Sequence, residues 1–154
     1  MTPRTPAALA LALLGQPLAL PAQERPIRQA DLPAAVARTA AIESRGATVR
    51  GLTREREDGK TYYEVELLVK GRSKDVLIDT TGTVVLVEEQ VNLAELPEAV
   101  RTALEVGAGQ GKIQLVESLT KRGKIVAYEA HVLTGKKRSE VQVGPDGKPL
   151  AHPE

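Results

Sequence analysis

The sequence predicts an α+β protein in which two tandem units, each a helix followed by an antiparallel meander of strands, form one continuous sheet with both helices on one face. Three observations support this fold class. Part of the sequence occurs twice, the spacing of apolar residues changes from helical to strand-like within each copy, and glycines separate the apolar runs at turn positions.

The duplication is visible in three pairs of segments. LPAAV at 32–36 returns as LPEAV at 96–100, DGKTYYEVELLVKG at 58–71 returns as RGKIVAYEAHVLTG at 122–135, and DVLIDTTG at 75–82 returns as EVQVGPDG at 140–147. Each copy alone has about 60 residues, a length that is marginal for independent folding. We therefore expect one joint domain over 23–154, in which repeat 1 with an N-terminal lead-in covers 23–92 and repeat 2 covers 93–154.

The N-terminus has the pattern of a secretory signal peptide. Arg4 is followed by an unbroken apolar run from Ala7 to Leu14, and the small residue Ala22 suits the position before a cleavage site. The run is much shorter than the roughly 20 apolar residues that a membrane span requires. We therefore expect residues 1–22 to be a removed leader, and the mature protein to be periplasmic or secreted by a bacterium without membrane insertion.

Each repeat is predicted to begin with a helix. The apolar residues that share one face of these helices are Leu32, Val36 and Ala40 in repeat 1 and Leu96, Val100, Ala103 and Leu104 in repeat 2. In repeat 1, Asp31 is placed to accept hydrogen bonds from the first backbone N–H groups, and Pro33 is tolerated in the first turn. Gly46 and Gly107 are expected to end the two helices, because glycine readily adopts the left-handed conformation found there.

After each helix the apolar period changes from 3.6 to 2 residues, which indicates strands with one apolar face. That face is expected to hold Tyr63, Val65, Leu67 and Val69 in repeat 1 and Tyr128, Ala130 and Val132 in repeat 2. Hairpin turns are expected at Asp58-Gly59, Gly71, Arg122-Gly123 and Gly135, followed by a third strand and a short last strand in each repeat. The strands over 47–56 and 112–121 alternate less regularly, which leaves their inward positions open and suggests a bulge.

The strand and turn motifs of repeat 1 resemble a known family. The segment YEVEL at 63–67, a glycine turn, and the segment DVLIDTTGTV at 75–84 are similar to the PepSY-like domain, in which these motifs follow a helix. The resemblance covers essentially the whole mature chain, and repeat 2 differs by having Gly144 where the pattern places an aspartate. It implies a fold similar to the beta-lactamase inhibitor protein, with an open concave sheet face that grips a partner, and it implies no catalytic residues.

The composition excludes several classes of function. Lys and Arg number 21 against 20 Asp and Glu, and removal of Arg4 with the leader leaves 20 of each. This balance provides no overall field that would attract nucleic acid. The absence of cysteine excludes disulfides and thiol chemistry, and the absence of Phe and Trp leaves a core of aliphatic residues.

These observations predict a non-enzymatic binding module that holds a protein partner on the sheet face opposite the helices. The residues expected on this face are Tyr62, Glu64, Glu66, Leu68, Leu77, Glu129, His131 and Leu133. Its three leucines are expected to provide an apolar contact within a polar surface. The family resemblance implies an envelope peptidase or other hydrolase as the partner.

A first alternative is a small-ligand or polyanion binder that uses basic residues in the hairpin turns. These residues are Lys70, Arg72, Lys74, Lys121, Arg122, Lys124, Lys136, Lys137 and Arg138. They would form a positive patch if the turns of both repeats lay on one rim. A second alternative is a structural envelope protein whose sheet edges pair in oligomers, and the sequence leaves the oligomeric state open.

A third alternative is a metal-assisted enzyme centred on His131, with Glu129, Glu64 and Glu66 on the same strand faces. A single histidine favours a solvated, paired side chain over a metal ligand, and the sequence shows nothing apolar that would raise the pKa of Glu64 or Glu66. We therefore predict no catalytic residues, no metal and no cofactor.

Overall fold

The computed structural model describes residues 25–57 and 59–154. The expected leader over 1–22 with its cleavage position lies outside these residues, and so does Asp58 of the predicted first hairpin turn.

Within residues 25–57 and 59–154, eight strands form one antiparallel sheet in chain order, so that each strand pairs with the next along the sequence. The strands are β1 (Arg25–Pro26), β2 (Thr48–Glu57), β3 (Lys60–Val69), β4 (Arg72–Asp79), β5 (Val84–Gln90), β6 (Lys112–Lys121), β7 (Lys124–Thr134) and β8 (Lys137–Val143). The helices are α1 (Ala34–Glu43) and α2 (Glu98–Ala108), each preceded by a short 3-10 turn, Gln29–Asp31 and Leu93–Glu95. The predicted α+β fold class is confirmed.

Each helix packs on its own part of the sheet through an aliphatic cluster. Around α1 the buried residues are Val36, Ala40, Tyr63, Val65, Leu67, Val76 and Ile78. Around α2 they are Val100, Leu104, Val116, Ala130, Val132 and Val143. These are the strand faces and helix faces that the apolar spacing predicts.

Both helices lie on the same face of the sheet. Strands β5 and β6 join the two halves, with Val87 opposite Thr120. Val87 packs against the cluster under α1, and Val116, four residues before Thr120 and on the same strand face, belongs to the cluster under α2. The other face of the sheet is therefore not covered by either helix.

The hairpin turns that the structure describes have the backbone conformations expected from their sequences. Lys70 and Gly71 have φ of 51° and 84°, and Arg122 and Gly123 have φ of 52° and 73°. Two consecutive positive φ values are typical of the two-residue turns that suit a twisted hairpin. The expected irregularity of the first strand in each half is also present, because the pairing register shifts between Val49 and Gly51 and between Ile113 and Leu115.

Three local expectations are wrong, and two of them concern the helix ends. The carboxylate of Asp31 pairs with Arg28 and does not cap α1, whose N-terminal boundary is Pro33 without a side-chain cap. Gly107 does not end α2, which continues to Ala108 and is followed by Gly109 at φ 56°. A Cβ atom at position 107 would clash with Cγ1 of Val141, so this glycine allows close packing of α2 on β8.

The third concerns the short last strand expected in the second half, which is reduced. In the first half β5 pairs with β4 over five residue pairs, whereas after β8 the chain forms only one isolated bridge, between Val143 and Pro149. Pro149 has no N–H group to continue a ladder, which explains why pairing stops there.

In the described part of the chain, no helix has the length and apolar character needed to cross a membrane.

Candidate functional site

The sheet face opposite the helices carries the residues that the sequence analysis assigned to partner binding. Because side chains alternate along a strand, the neighbours of the residues that pack against the helices point to this face. They are Tyr62, Glu64, Glu66 and Leu68 on β3, Leu77 on β4, and Glu129, His131 and Leu133 on β7. The structure thus places all eight on one face, which we call the open face.

The open face is strongly curved. Glu55 on β2 and Glu140 on β8 line the same cavity, whose volume is about 350 Å³. In a flat sheet these two strands would be about 29 Å apart, because neighbouring strands are spaced by about 4.8 Å. A cavity of this size can have both residues in its wall only if the sheet bends around it, so the open face is concave.

The wall of this concave cavity is rich in carboxylates. The acidic residues that line it are Glu55, Glu64, Asp75, Glu88, Glu129, Glu140 and Glu154, together with Leu77, Leu86, His131 and Gln142. Burial raises the pKa of Glu64 to about 8, and the neighbouring charge of Glu55 adds to the effect. The expectation that Glu64 is an ordinary hydrated carboxylate is therefore wrong, because the curvature of the sheet shields its side chain from water.

Two further carboxyl groups in the cavity have raised pKa values. Asp75 and Glu88 face each other across β4 and β5. Burial raises the pKa of Asp75 to about 6 and that of Glu88 to about 7, and in both cases the charge of Glu117 is the second cause. The cavity therefore holds several half-buried acids that take up protons near neutral pH.

His131 lies between two buried carboxylates at one side of this cavity. Its Nε2 atom is 2.9 Å from Oε2 of Glu117 and 3.2 Å from Oε1 of Glu129. The side chains of Glu117 and Glu129 are only 4% and 9% exposed, whereas that of His131 is 38% exposed. Burial raises the pKa of Glu129, an effect that the hydrogen bond from Gln142 opposes.

The hydrogen bonds around this cluster argue against nucleophilic catalysis. The hydroxyl of Ser73 lies 3.2 Å from Oε1 of Glu117 and donates to it. The carboxylate therefore stands between the hydroxyl and the imidazole of His131, whereas an activated serine needs the imidazole as its direct neighbour. This arrangement orients Glu117 and provides no imidazole base for Ser73.

A second cavity adjoins His131 on the other side. It has a volume of about 530 Å³ and is lined by Leu115, Leu133, Arg138 and Glu140 together with the imidazole. His131 and Glu140 line both cavities. The imidazole is therefore accessible from an open space that contains both apolar and charged groups.

The C-terminal residue crosses the open face near the ends of β6 and β8. The backbone N–H of Glu154 donates to Oε1 of Gln142 at 2.9 Å, and its carboxylate lies 2.9 Å from Nζ of Lys121. Ala127 on β7 lies between these two contacts, and it and its partner Leu119 are fully buried. Glu154 thus lies on the open face, where it also lines the acidic cavity.

The basic residues of the hairpin turns do not form one rim. Because the strands alternate in direction, the β3–β4 and β7–β8 turns lie at one end of the sheet and the β6–β7 turn lies at the other. Lys70, Arg72, Lys74, Lys136, Lys137 and Arg138 are therefore separated from Lys121, Arg122 and Lys124. In addition, Nζ of Lys74 is on the helix face, 3.3 Å from Oε2 of Glu43 and 3.9 Å from Oε1 of Glu89.

Sequence reasoning missed Glu117, Asp75 and Glu88. Glu117 lies in a strand with four consecutive buried residues, 116–119, so alternation did not indicate where it points. Asp75 could have been found, because it alternates with the buried Val76 and pairs with Glu66 across the hairpin. Glu88 could have been found because it lies two residues after Leu86, and side chains two residues apart on a strand point to the same face.

No family model matches this chain, and no curated protein matches it. Solved structures with a similar fold are found in Bacteroides. A protein of Bacteroides eggerthii described as periplasmic is 17% identical with a TM-score of 0.60, covering 76% of this chain and 84% of that protein. A DUF2874 family protein of Bacteroides ovatus is 20% identical with a TM-score of 0.58, covering 77% and 84%.

A BLIP-like protein of Bacteroides fragilis is 23% identical with a TM-score of 0.52, covering 77% of this chain and 82% of that protein. At these identities the comparisons establish the fold, which is an eight-stranded antiparallel sheet with two helices on one face in this chain. The chain therefore has a BLIP-like fold, in agreement with its resemblance to the PepSY-like domain.

Proposed function

We propose that this protein is an exported, non-enzymatic binding module that holds a protein partner on its open face. The observation that carries the proposal is the concave cavity about 350 Å³ in volume, whose wall is built from strands of both halves. A curved face that the helices leave uncovered offers a partner more contact area than a flat one. Binding sites are typically concave, as this face is.

The chemistry of the face suggests what kind of surface the partner presents. Carboxylates dominate the cavity wall, and Leu77 and Leu86 lie between them. A lysine or arginine side chain complements such a surface, because its aliphatic stem packs on leucine while its charged end pairs with a carboxylate. We therefore infer that the partner inserts a basic segment into the open face.

The class of partner is inferred from the fold. The resemblance to the PepSY-like domain and the similarity to a BLIP-like protein favour an envelope peptidase or another envelope hydrolase. Export is supported by the leader pattern at 1–22 and by the similarity to a protein described as periplasmic. A non-enzymatic role is supported by the order of Ser73, Glu117 and His131, in which the imidazole cannot take the proton of the hydroxyl.

The test is affinity capture from the envelope of the source bacterium with a pair of matched variants. One variant changes Leu77→Arg and Leu133→Arg on the open face, and the control changes Val106→Arg on the outer side of α2, where the residue is 74% exposed. We expect the wild type and the control to retain a hydrolase that the open-face variant loses. Equal capture by all three proteins, identified by mass spectrometry, would show that the open face does not bind the partner.

A further inference from the structure

We propose that Glu117, Glu129 and His131 form a binding site for Zn²⁺, with a fourth coordination position open to solvent. One donor atom from each side chain lies within 4.8 Å of the other two. This inference goes beyond the binding of a protein partner and does not depend on it.

The distances between the donor atoms are close to those of a tetrahedral zinc site. With zinc–ligand bonds of about 2.0 Å to 2.1 Å, neighbouring ligands are about 3.3 Å apart. Nε2 of His131 is 2.9 Å from Glu117 and 3.2 Å from Glu129. Both distances from the imidazole nitrogen are therefore within a few tenths of an ångström of the tetrahedral value, and the two carboxylate oxygens lie within 4.8 Å of each other.

The backbone holds the three side chains in place. Glu117 on β6 is directly opposite Glu129 on β7, and His131 follows two residues later on the same face. Donors on paired strands in the interior of a sheet are more precisely positioned than donors on loops.

The strongest support for the zinc site comes from the hydrogen bonds made by the second oxygen atom of each carboxylate. Glu117 accepts from the hydroxyl of Ser73 through Oε1 and faces His131 through Oε2. Glu129 accepts from the amide of Gln142 through Oε2 and faces His131 through Oε1. Each carboxylate is thus anchored by one oxygen and directs the other to the same point, which is how outer hydrogen bonds orient metal ligands.

On the far side of the imidazole a further carboxylate lies nearby, beyond hydrogen-bond distance. Nδ1 of His131 lies 3.9 Å from Oε1 of Glu140. A carboxylate near the second ring nitrogen is common in zinc sites, where it fixes the tautomer and increases the basicity of the ligand nitrogen. The exposed edge of His131 adjoins the cavity of about 530 Å³, which gives the ion an entry path and room for a water ligand.

The donor set favours zinc over the alkaline-earth ions. One imidazole nitrogen and two carboxylate oxygens match a zinc site with three protein ligands and an open position. Calcium and magnesium prefer ligand sets made only of oxygen atoms. The competing explanation for the cluster is a protonated His131, whose single Nε2–H group would be shared between two carboxylates.

The experiment is calorimetric titration of the purified, tag-free protein with Zn²⁺, with Ca²⁺ and Mg²⁺ titrated in parallel. The variants are His131→Gln and Glu117→Gln, and the control is His152→Ala, which removes the other of the two histidines in the sequence. We expect one Zn²⁺ per chain in the wild type and in the control, and an affinity at least about tenfold lower in both site variants. NMR signals of the His131 ring should shift on addition of Zn²⁺ to the wild type, a measurement that requires no variant.

Several outcomes would overturn the proposal. No binding and no shift of the ring signals would show that the cluster is a proton-mediated ion pair. Binding that survives in His131→Gln or disappears in His152→Ala would place the ion elsewhere. Equal affinity for Ca²⁺ would contradict a nitrogen-containing ligand set.

Discussion

The two halves of the open face have the same backbone frame and different side chains at matching positions. Glu64 and Glu129 correspond, and each is paired with a residue of the preceding strand, which is Thr53 in the first half and Glu117 in the second. Two residues further along, Glu66 in the first half stands where His131 stands in the second. The cluster of two carboxylates and an imidazole therefore exists in the second half alone.

The same backbone frame therefore supports two different chemistries, which the side chains determine. In the first half, burial raises the pKa of Glu64 to about 8, and the neighbouring charges that act on it are all negative. In the second half Glu129 has His131 and Gln142 beside it, and these contacts oppose the effect of burial. The first half provides an acidic wall and the second provides a defined cluster.

Two core substitutions, which should cause the greatest loss of stability, test whether the halves are energetically joined. Leu67 and Leu104 are 1% and 0% exposed and belong to the clusters under α1 and α2. We expect Leu67→Ala and Leu104→Ala each to lower the free energy of unfolding by about 2 to 5 kcal/mol, because each leaves a cavity in an aliphatic core. Chemical denaturation followed by circular dichroism measures the change.

The same variants distinguish joint from independent unfolding. Because β5 and β6 pair in one sheet, Leu104→Ala should increase the hydrogen exchange of β3 amides as well as β7 amides. Unchanged protection of β3 in Leu104→Ala would show that the halves unfold separately.

A second prediction concerns a feature that the two halves share. Gly82 and Gly147 have φ of 86° and 77°, and a Cβ atom would lie 2.8 Å from the carbonyl oxygen of Ala35 and 2.5 Å from that of Ala99. We expect Gly82→Ala and Gly147→Ala to cost about 2 to 4 kcal/mol, from the left-handed backbone and from contact with the first turn of the helix.

Gly46 is the matched control for these two variants. It has φ of 76°, and a Cβ atom added to it would have no neighbouring atom within 4 Å. Gly46→Ala should therefore cost only about 1 to 2 kcal/mol, the cost of the backbone conformation alone. Equal losses in all three variants, measured by thermal unfolding, would mean that the contacts with the helices contribute nothing.

The features that sequence predicted well are those that depend on local periodicity. The alternation of Tyr63, Val65 and Leu67 gave the face of β3, and Arg122-Gly123 gave a turn, because neighbouring residues decide both. The prediction that Gly107 ends α2 is wrong because this position requires glycine for a different reason. A Cβ atom there would clash with Val141, which lies 34 positions later in the sequence.

The electrostatic properties of the site depend on the curvature of the sheet, and a period of two residues carries no information about curvature. The raised pKa of Glu64 requires burial by strands distant in sequence, and the role of Glu117 requires the pairing of β6 with β7. The eight residues of the open face were predictable as a set. Their mutual distances were not.

Substitution of Glu64 tests the acidic wall of the first half, with a smaller expected change in stability. The folded pKa of Glu64 is about 8 and its usual value is 4.5, so the folded state binds more protons between these pH values and stability falls as pH rises. Glu64→Gln removes this loss. We expect its melting temperature to exceed that of the wild type at pH 8.5 by about 2 to 4 °C, with little difference at pH 5.

The control for this variant is Glu105→Gln, on the exposed side of α2. Its effect should be the same at both pH values. A Glu64→Gln protein that gains no stability at high pH relative to pH 5 would show that Glu64 is hydrated, as the sequence suggested.

The smallest expected effect concerns Lys74, which differs from the other basic residues because it lies under the C-terminal end of α1. Its Nζ atom pairs with Glu43 and Glu89, and its side chain is 22% exposed. Ion pairs that are accessible to solvent contribute about 0 to 1 kcal/mol, so Lys74→Ala should lower stability by roughly that amount. Lys137→Ala, at the exposed start of β8, should have no measurable effect. If both variants lose stability equally in a thermal unfolding series, the contact between Lys74 and Glu43 does not help to hold α1 on the sheet.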